Sequence, residues 1–435
     1  MTRRSANRLM AAVAALAFAI AGGAAPTAGQ QREDWHGVLD QHPSIQYASR
    51  PAADRIARLN QSIAAGSRTL QRDGRTGYLR SLLDALGIAE QSQLLVFSKT
   101  GVQRAFTSPH TPRALYFDSS TVVGYIPGAP AIEIASHDPQ QGVVFYTLDQ
   151  SASAPAFTRT TMCLTCHVSA STLEVPGLIT RSNAVGDDGM VMPQLGSNDV
   201  THRTPHPDRW GGWFVTFETL VGYNQRAHAG NITFSGGGIT SNQVFVDWMN
   251  SEPESRGYLS PFSDVVALLV FDHQAHAINL LTRLNWESRV AAAAGRAATT
   301  DATLRPLIDE LAGYLLFAGE SPPSVPLTPR DGFAERLAAS VPRDRRGRSL
   351  AELDLVDRLF RYPCSYMIYS AAFDGLAPDV RAAVYQRISD TLSRGDAADP
   401  RDRAAAERRG AVLEILRDTK PEFPAARVTD VSRGR

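Results

Sequence analysis

The chain has 435 residues with 44 basic and 44 acidic side chains, so no overall field draws it to nucleic acid or to anionic lipid, and nucleic acid is not an expected partner. Its apolar content of 43% suffices for a packed core and its length for two or three domains of about 100–200 residues each, so disulfides are not needed for size. Three cysteines in an oxidising compartment leave either one free thiol or a pair diverted to other chemistry.

Arg3, Arg4 and Arg8 precede an uncharged apolar run from Leu9 to Ile20 and then small residues through Ala25, the pattern of a secretory signal peptide over residues 1–29. The run is shorter than the roughly 18 to 20 residues of a membrane span, no later segment supplies them, and no cysteine near the cleavage region offers a lipid anchor. The expectation is an exported, periplasmic protein whose mature chain is not stably inserted in a membrane.

Residues 30–150 should hold a helical opening and a small β-rich unit. Ile56, Leu59 and Ile63, then Leu79, Leu82, Leu83 and Leu86, recur at helical spacing, with Gly74 and Gly77 between them. Val122–Ile126, Ile132–Ala135 and Val143–Leu148 read as antiparallel strands, being β-branched and aromatic runs separated by turn residues. Residues 151–290 open on a Cys-x-x-Cys-His pentapeptide, pass through a loop-rich stretch from Glu174 to Gly238, and end on a long apolar helix predicted from Ser260-Pro261 to about Glu287. Residues 291–420 read as helices near Thr303–Ala318, Leu350–Phe360, Ser365–Phe373, Pro378–Arg394 and Pro400–Leu416, followed by a flexible tail over 421–435. The fold class expected is α+β, mostly α, with a helical haem core, for the following reason.

Cys163-Leu164-Thr165-Cys166-His167 spaces two thiols to add across the two vinyl groups of one haem and places an imidazole to reach its iron from the same side. A zinc site would want a second Cys/His pair and a thioredoxin-like redox pair would want a βαβ setting, and neither pattern is present. One covalently attached haem c, with His167 as proximal ligand, is the expected cofactor. For the sixth iron position His273 is preferred, because it shares a helix face with His276, Leu269 and Leu280; His276, with Asp272 four residues before it, and Met192 in Gly189-Met190-Val191-Met192-Pro193 are the runners-up. Trp210 and Trp213 flank paired glycines that allow close approach to a flat group, with His202, His206 and His228 nearby, and Arg209, Arg181 and Arg203 are candidates to neutralise haem propionates. Cys364 has no partner at Cys-x-x-Cys spacing and reads as a buried thiol. No HExxH, P-loop or nucleophile-elbow pattern supports a hydrolase.

Cys163–His167, His202-Arg203-Thr204-Pro205 leading into Arg209-Trp210-Gly211-Gly212-Trp213, and His273 on its helix resemble a group of large bacterial single-haem cytochrome-c-like proteins without an assigned function. Pro112–Phe117, Phe145–Gln150 and Arg361–Tyr366 extend the likeness over most of the mature chain. The resemblance implies haem c binding and electron transfer and supplies no substrate. Phe217-Glu218 departs from the group, where a glycine and a histidine are more usual. Three roles follow: an electron carrier for a redox partner protein, a haem-dependent oxidoreductase of peroxidase or oxidase type acting on a small molecule at an open distal site, and a haem-based sensor.

Overall fold

The computed structural model of the chain describes residues 39–216, 218–219, 232–235, 238–241, 252–297, 300–329, 332–394 and 400–425. The expected signal peptide, His228 and Phe217 lie outside these residues.

Seven strands form one antiparallel sheet. Strands β1 (Leu94–Val96), β2 (Arg113–Phe117), β3 (Thr121–Tyr125), β4 (Ala131–Asp138), β5 (Gly142–Asp149) and β6 (Phe157–Arg159) follow one another as a meander. A short hairpin, β7 (Arg181–Asn183) with β8 (Ser197–Asp199), stands apart from them, and β9 (Trp213–Phe214) returns to pair with β1. Alternation along each strand sends neighbouring side chains to opposite faces, and here both faces are covered. Leu95, Ala114, Tyr116, Val123, Ile132, Ile134, Val144 and Leu148 pack on one face against helices α1 (Arg55–Ala64) and α2 (Leu79–Leu86). Leu94, Val96, Phe117, Val122, Val143 and Phe145 belong to a second core on the other face. Asp54 caps α1 by accepting from Ile56 N at 2.8 Å, and Gly87 ends α2 at φ +64°.

The motif cysteines flank and enter a single helical turn, α3 (Leu164–His167), which lies against that second face. The expectation of a mostly α fold with a helical core around the motif is therefore corrected: a sheet forms the wall opposite it. The sheet also runs across the boundary expected at residue 150, because β6 and β9 belong to it.

Helix α4 (Val265–Ala293) is the spine of the second core. It starts at Asp264, whose carboxylate accepts from Ala267 N at 2.8 Å, and not at Ser260-Pro261. Residues 260–263 are occupied instead by bonds to the sheet region: Gln93 donates to the Phe262 carbonyl, Thr216 N donates to the Ser263 carbonyl, and Leu95 N donates to Ser263 Oγ. The helix is long and apolar enough to cross a membrane, yet 94% of its most apolar stretch is buried in protein.

Helices α5 (Leu304–Leu315), α6 (Phe333–Ala339), α7 (Ala371–Asp374), α8 (Pro378–Ser393) and α9 (Pro400–Thr419) make the C-terminal half helical as expected. Leu350–Phe360 is not a helix. The Asp354 carboxylate accepts from Val356 N and Asp357 N, a local turn that competes with helical bonding and closes with Leu353 opposite Phe360. Ser365–Phe373 is split because Ser370 caps a new turn, accepting from Phe373 N. The first residues of the expected flexible tail are docked: Phe423 is buried against Tyr385 with ring centroids 5.5 Å apart, and Glu422 pairs with Arg381 at 2.7 Å. Phe423→Ala should lower the unfolding free energy by about 3 kcal/mol, measured as a shifted urea midpoint; an unchanged midpoint would return residue 423 to the tail.

Candidate functional site

The second face of the sheet and the motif border an open cavity of about 230 Å³, somewhat below the roughly 300–1,000 Å³ usual for cofactor and small-molecule sites. Val96, Leu115, Val122, Gly124, Ala135 and Phe145 line it from five strands. Trp213 of β9 also lines it from the sheet, and Cys163, Cys166 and His167 line it from the other side, with Leu178. Neither motif thiol is in a disulfide. Burial and the nearby Glu133 and Cys166 push the Cys163 thiol up to about 11, so it stays protonated at neutral pH.

His167 is held by its own backbone neighbourhood. Its Nδ1 lies 2.8 Å from the Gly177 carbonyl, and Gly177 N donates back to the His167 carbonyl at 3.0 Å. A carbonyl oxygen accepts and never donates, so Nδ1 carries the proton and Nε2 is left with its lone pair, the tautomer a metal ligand needs. Burial, then the Arg113 and Arg181 guanidinium charges, hold the ring below the usual histidine range and keep it neutral. The Phe145 ring packs 4.9 Å from it, centroid to centroid.

The Gly177 carbonyl is aimed in turn by Asn279 of α4, which sequence reasoning did not single out. Its side-chain amide both accepts from Leu178 N and donates to the Leu178 carbonyl, at 2.8 Å each. A Cβ at Gly177 would stand 2.2 Å from Asn279 Oδ1, so only glycine admits this clamp. The available sequence signal is a lone amide between the apolar Ile278 and Leu280.

The other residues expected at the site divide. Trp213 lines the cavity and donates from Nε1 to the Arg181 carbonyl at 2.9 Å. Arg181 also lines it, with its guanidinium bonded to Asp199 at 2.8 Å and Ser171 at 2.7 Å. Trp210 is turned away against His206. Arg209 is buried, donating to the His202 and Thr204 carbonyls with Nη1 3.7 Å from Asp272, so its expected pairing with a propionate is corrected. Arg203 is paired with Glu310 at 2.7 Å.

His273 also requires correction. Its Nδ1 is 2.8 Å from His202 Nδ1, its Nε2 is 2.6 Å from Ser365 Oγ, and its ring stacks on Tyr314 and Phe317. Both ring nitrogens are engaged and neither faces the cavity. The residue of α4 that does line it is Phe271, and two positions further along a 3.6-residue helix lie about 200° round the axis. His276 packs against Tyr314, and Met192 lies beside Gly186; neither lines the cavity. Cys364 is fully buried, its thiol pushed up to about 12 by desolvation.

No protein-family model, no curated protein and no solved structure matches the chain.

Two predictions follow from this geometry. Asn279→Ala leaves the Leu178 amide groups unsatisfied and should cost about 1–3 kcal/mol; imidazole nitrogen NMR should show His167 changing from the Nδ1-protonated tautomer to a mixture, and an unchanged tautomer would remove Asn279 from its positioning role. Burial holds His202 down to about 3 and His137, His206 and His276 to about 4. A histidine with a depressed folded pKa binds its proton only on unfolding, so stability is full above the ordinary value of 6.5 and is lost as pH falls toward 4. Asp272, raised to about 7 by burial, acts with the opposite sign, but as one group against four. The urea midpoint should therefore fall steadily from pH 7 to pH 4.5, and a flat profile would contradict neutral burial of these rings.

Proposed function

We propose that the chain is an exported single-haem c-type cytochrome of the periplasm, with Cys163 and Cys166 as the thioether residues and His167 as the proximal ligand. The observation that carries this reading is the His167 tautomer: a half-buried imidazole, its Nδ1 fixed by Gly177 and its Nε2 left with a free lone pair, beside two unbonded thiols on the wall of the same cavity. Among the described residues, no group of three or more His, Cys, Asp or Glu side chains gathers as a site for a bare metal ion. A lone histidine suits a metal that brings its remaining ligands with it, as a porphyrin does. Thioether formation adds each S–H across a vinyl C=C and needs no external oxidant. When bound, haem would supply a one-electron redox centre, while Phe145, Leu178, Leu115 and Trp213 would keep water from its faces.

Electron transfer to a redox partner is the role the resemblance implies. A second reading, an open sixth position serving oxidoreductase chemistry or ligand sensing, is favoured by one observation. His273, His276 and Met192 stand outside the cavity, and its polar wall groups other than His167 include the weak ligands Ser98, Thr100 and Asn183.

The absorption spectrum of protein matured in a host competent for haem attachment tests both readings. A Soret band should be present and should vanish, with the attached mass, in the Cys163→Ala/Cys166→Ala variant; a colourless wild-type protein sinks the proposal. High-spin ferrous iron that binds carbon monoxide is expected for the open site, whereas low-spin iron indifferent to carbon monoxide leaves the electron carrier alone.

A further inference from the structure

Arg113 is a charged side chain in a position that the sheet pattern marks as apolar. It projects from β2 on the same face as Leu115 and Phe117, and its side chain is only 20% exposed. Its Nε is buried without a hydrogen-bond partner. Its Nη1 stands 3.7 Å from Glu133 Oε2, close enough for attraction but beyond hydrogen-bond distance. A guanidinium has five N–H donors, and leaving buried charged donors unsatisfied is costly. Arg181 on the same cavity is not in this condition, nor are Arg203 and Arg209 elsewhere: each holds carboxylate or carbonyl partners. Gly101 also makes room for this one, because a Cβ there would stand 2.4 Å from Arg113 Nη1. The hydroxyl-bearing Ser98 and Thr100 border the same cavity.

We infer that Arg113 is the anion-binding group of this cavity, receiving a carboxylate or small monoanion through the donors that Glu133 leaves free. The inference deepens the haem reading, and rests on it for the two sources of that charge: a propionate of the bound porphyrin, or a free anion entering beside it. Glu133 has a definite part. Its carboxylate competes for the guanidinium and repels an incoming anion, so neutralising it should strengthen binding.

The deciding experiment does not depend on haem. Full-length protein produced without haem attachment is titrated with anilinonaphthalene sulfonate and with N-phenyl-1-naphthylamine, which shares its ring skeleton but lacks the sulfonate. The anionic probe should bind about tenfold more tightly in the wild type, the preference should disappear in Arg113→Gln, persist in Arg113→Lys and grow in Glu133→Gln. Equal binding of the two probes, or a preference that survives in Arg113→Gln, overturns the inference even if the Soret band is present; a missing Soret band alone overturns the haem reading and leaves Arg113 standing. Two further titrations assign the source. Protoporphyrin IX binding more tightly than its dimethyl ester, with the difference lost in Arg113→Gln, identifies a propionate. Azide binding to the ferric haem-loaded protein, weakened about tenfold in Arg113→Gln and followed in the Soret band, identifies a free anion.

Discussion

The bond from His167 Nδ1 to the Gly177 carbonyl is the constraint on which the site depends. It selects one tautomer, points Nε2 away from the peptide, and does so without any other side chain touching the ring nitrogens. Its direction is set by a carbonyl, and a carbonyl is rigid only as far as the chain around it is rigid. Asn279 supplies that rigidity from α4 through two bonds to Leu178, and Gly177 makes the close approach possible. The orientation of one imidazole is thus settled by a helix more than a hundred residues further along the chain.

That helix connects two chemically different neighbourhoods. Toward the motif it presents Phe271 and Asn279; toward the C-terminal half it presents His273, enclosed with His202, Ser365 and Tyr314. The two histidines face each other through Nδ1 atoms at 2.8 Å, so one must donate and the other accept, and both cannot be charged at once. Desolvation enforces the same neutrality. This cluster secures the packing of α4 against α5 and the 365–369 turn, leaving the face near the cavity free to hold the motif.

What was legible in the sequence depended on whether the signal was covalent, periodic or neither. The two thiols and the histidine stood out as a candidate because their spacing is the one that thioether attachment to a haem would need, and β3, β4 and β5 were readable from β-branched runs between turn residues. Helix α4 was legible as a helix but not by face: it is buried nearly all round, so hydrophobicity carries little contrast, and His273 was assigned the orientation that belongs to Phe271. Trp210 and Trp213 looked equivalent, yet Gly212 at φ +83° turns the chain between them and only the second reaches the cavity. Arg113 and the Gly177 carbonyl had no local signature at all. One is a charge hidden in a strand whose neighbours are apolar, the other a backbone atom given its role by tertiary contact. The region around Leu350–Phe360 failed for a different reason, since an aspartate side chain outcompeted helical bonding that the apolar spacing alone favoured.

The sheet is completed out of order. Strands β1 to β6 precede the motif and can assemble by hairpin steps, but β9 follows it and pairs Trp213 with Val96, two residues that both line the cavity. Bringing such distant segments together is slow compared with closing a hairpin, because the loop entropy is spent before any contact rewards it. Folding consequently passes through an interval in which six strands are paired and the seventh has yet to seat. Until β9 seats, the cavity lacks part of its wall, and the last pairing shuts a door rather than building a room.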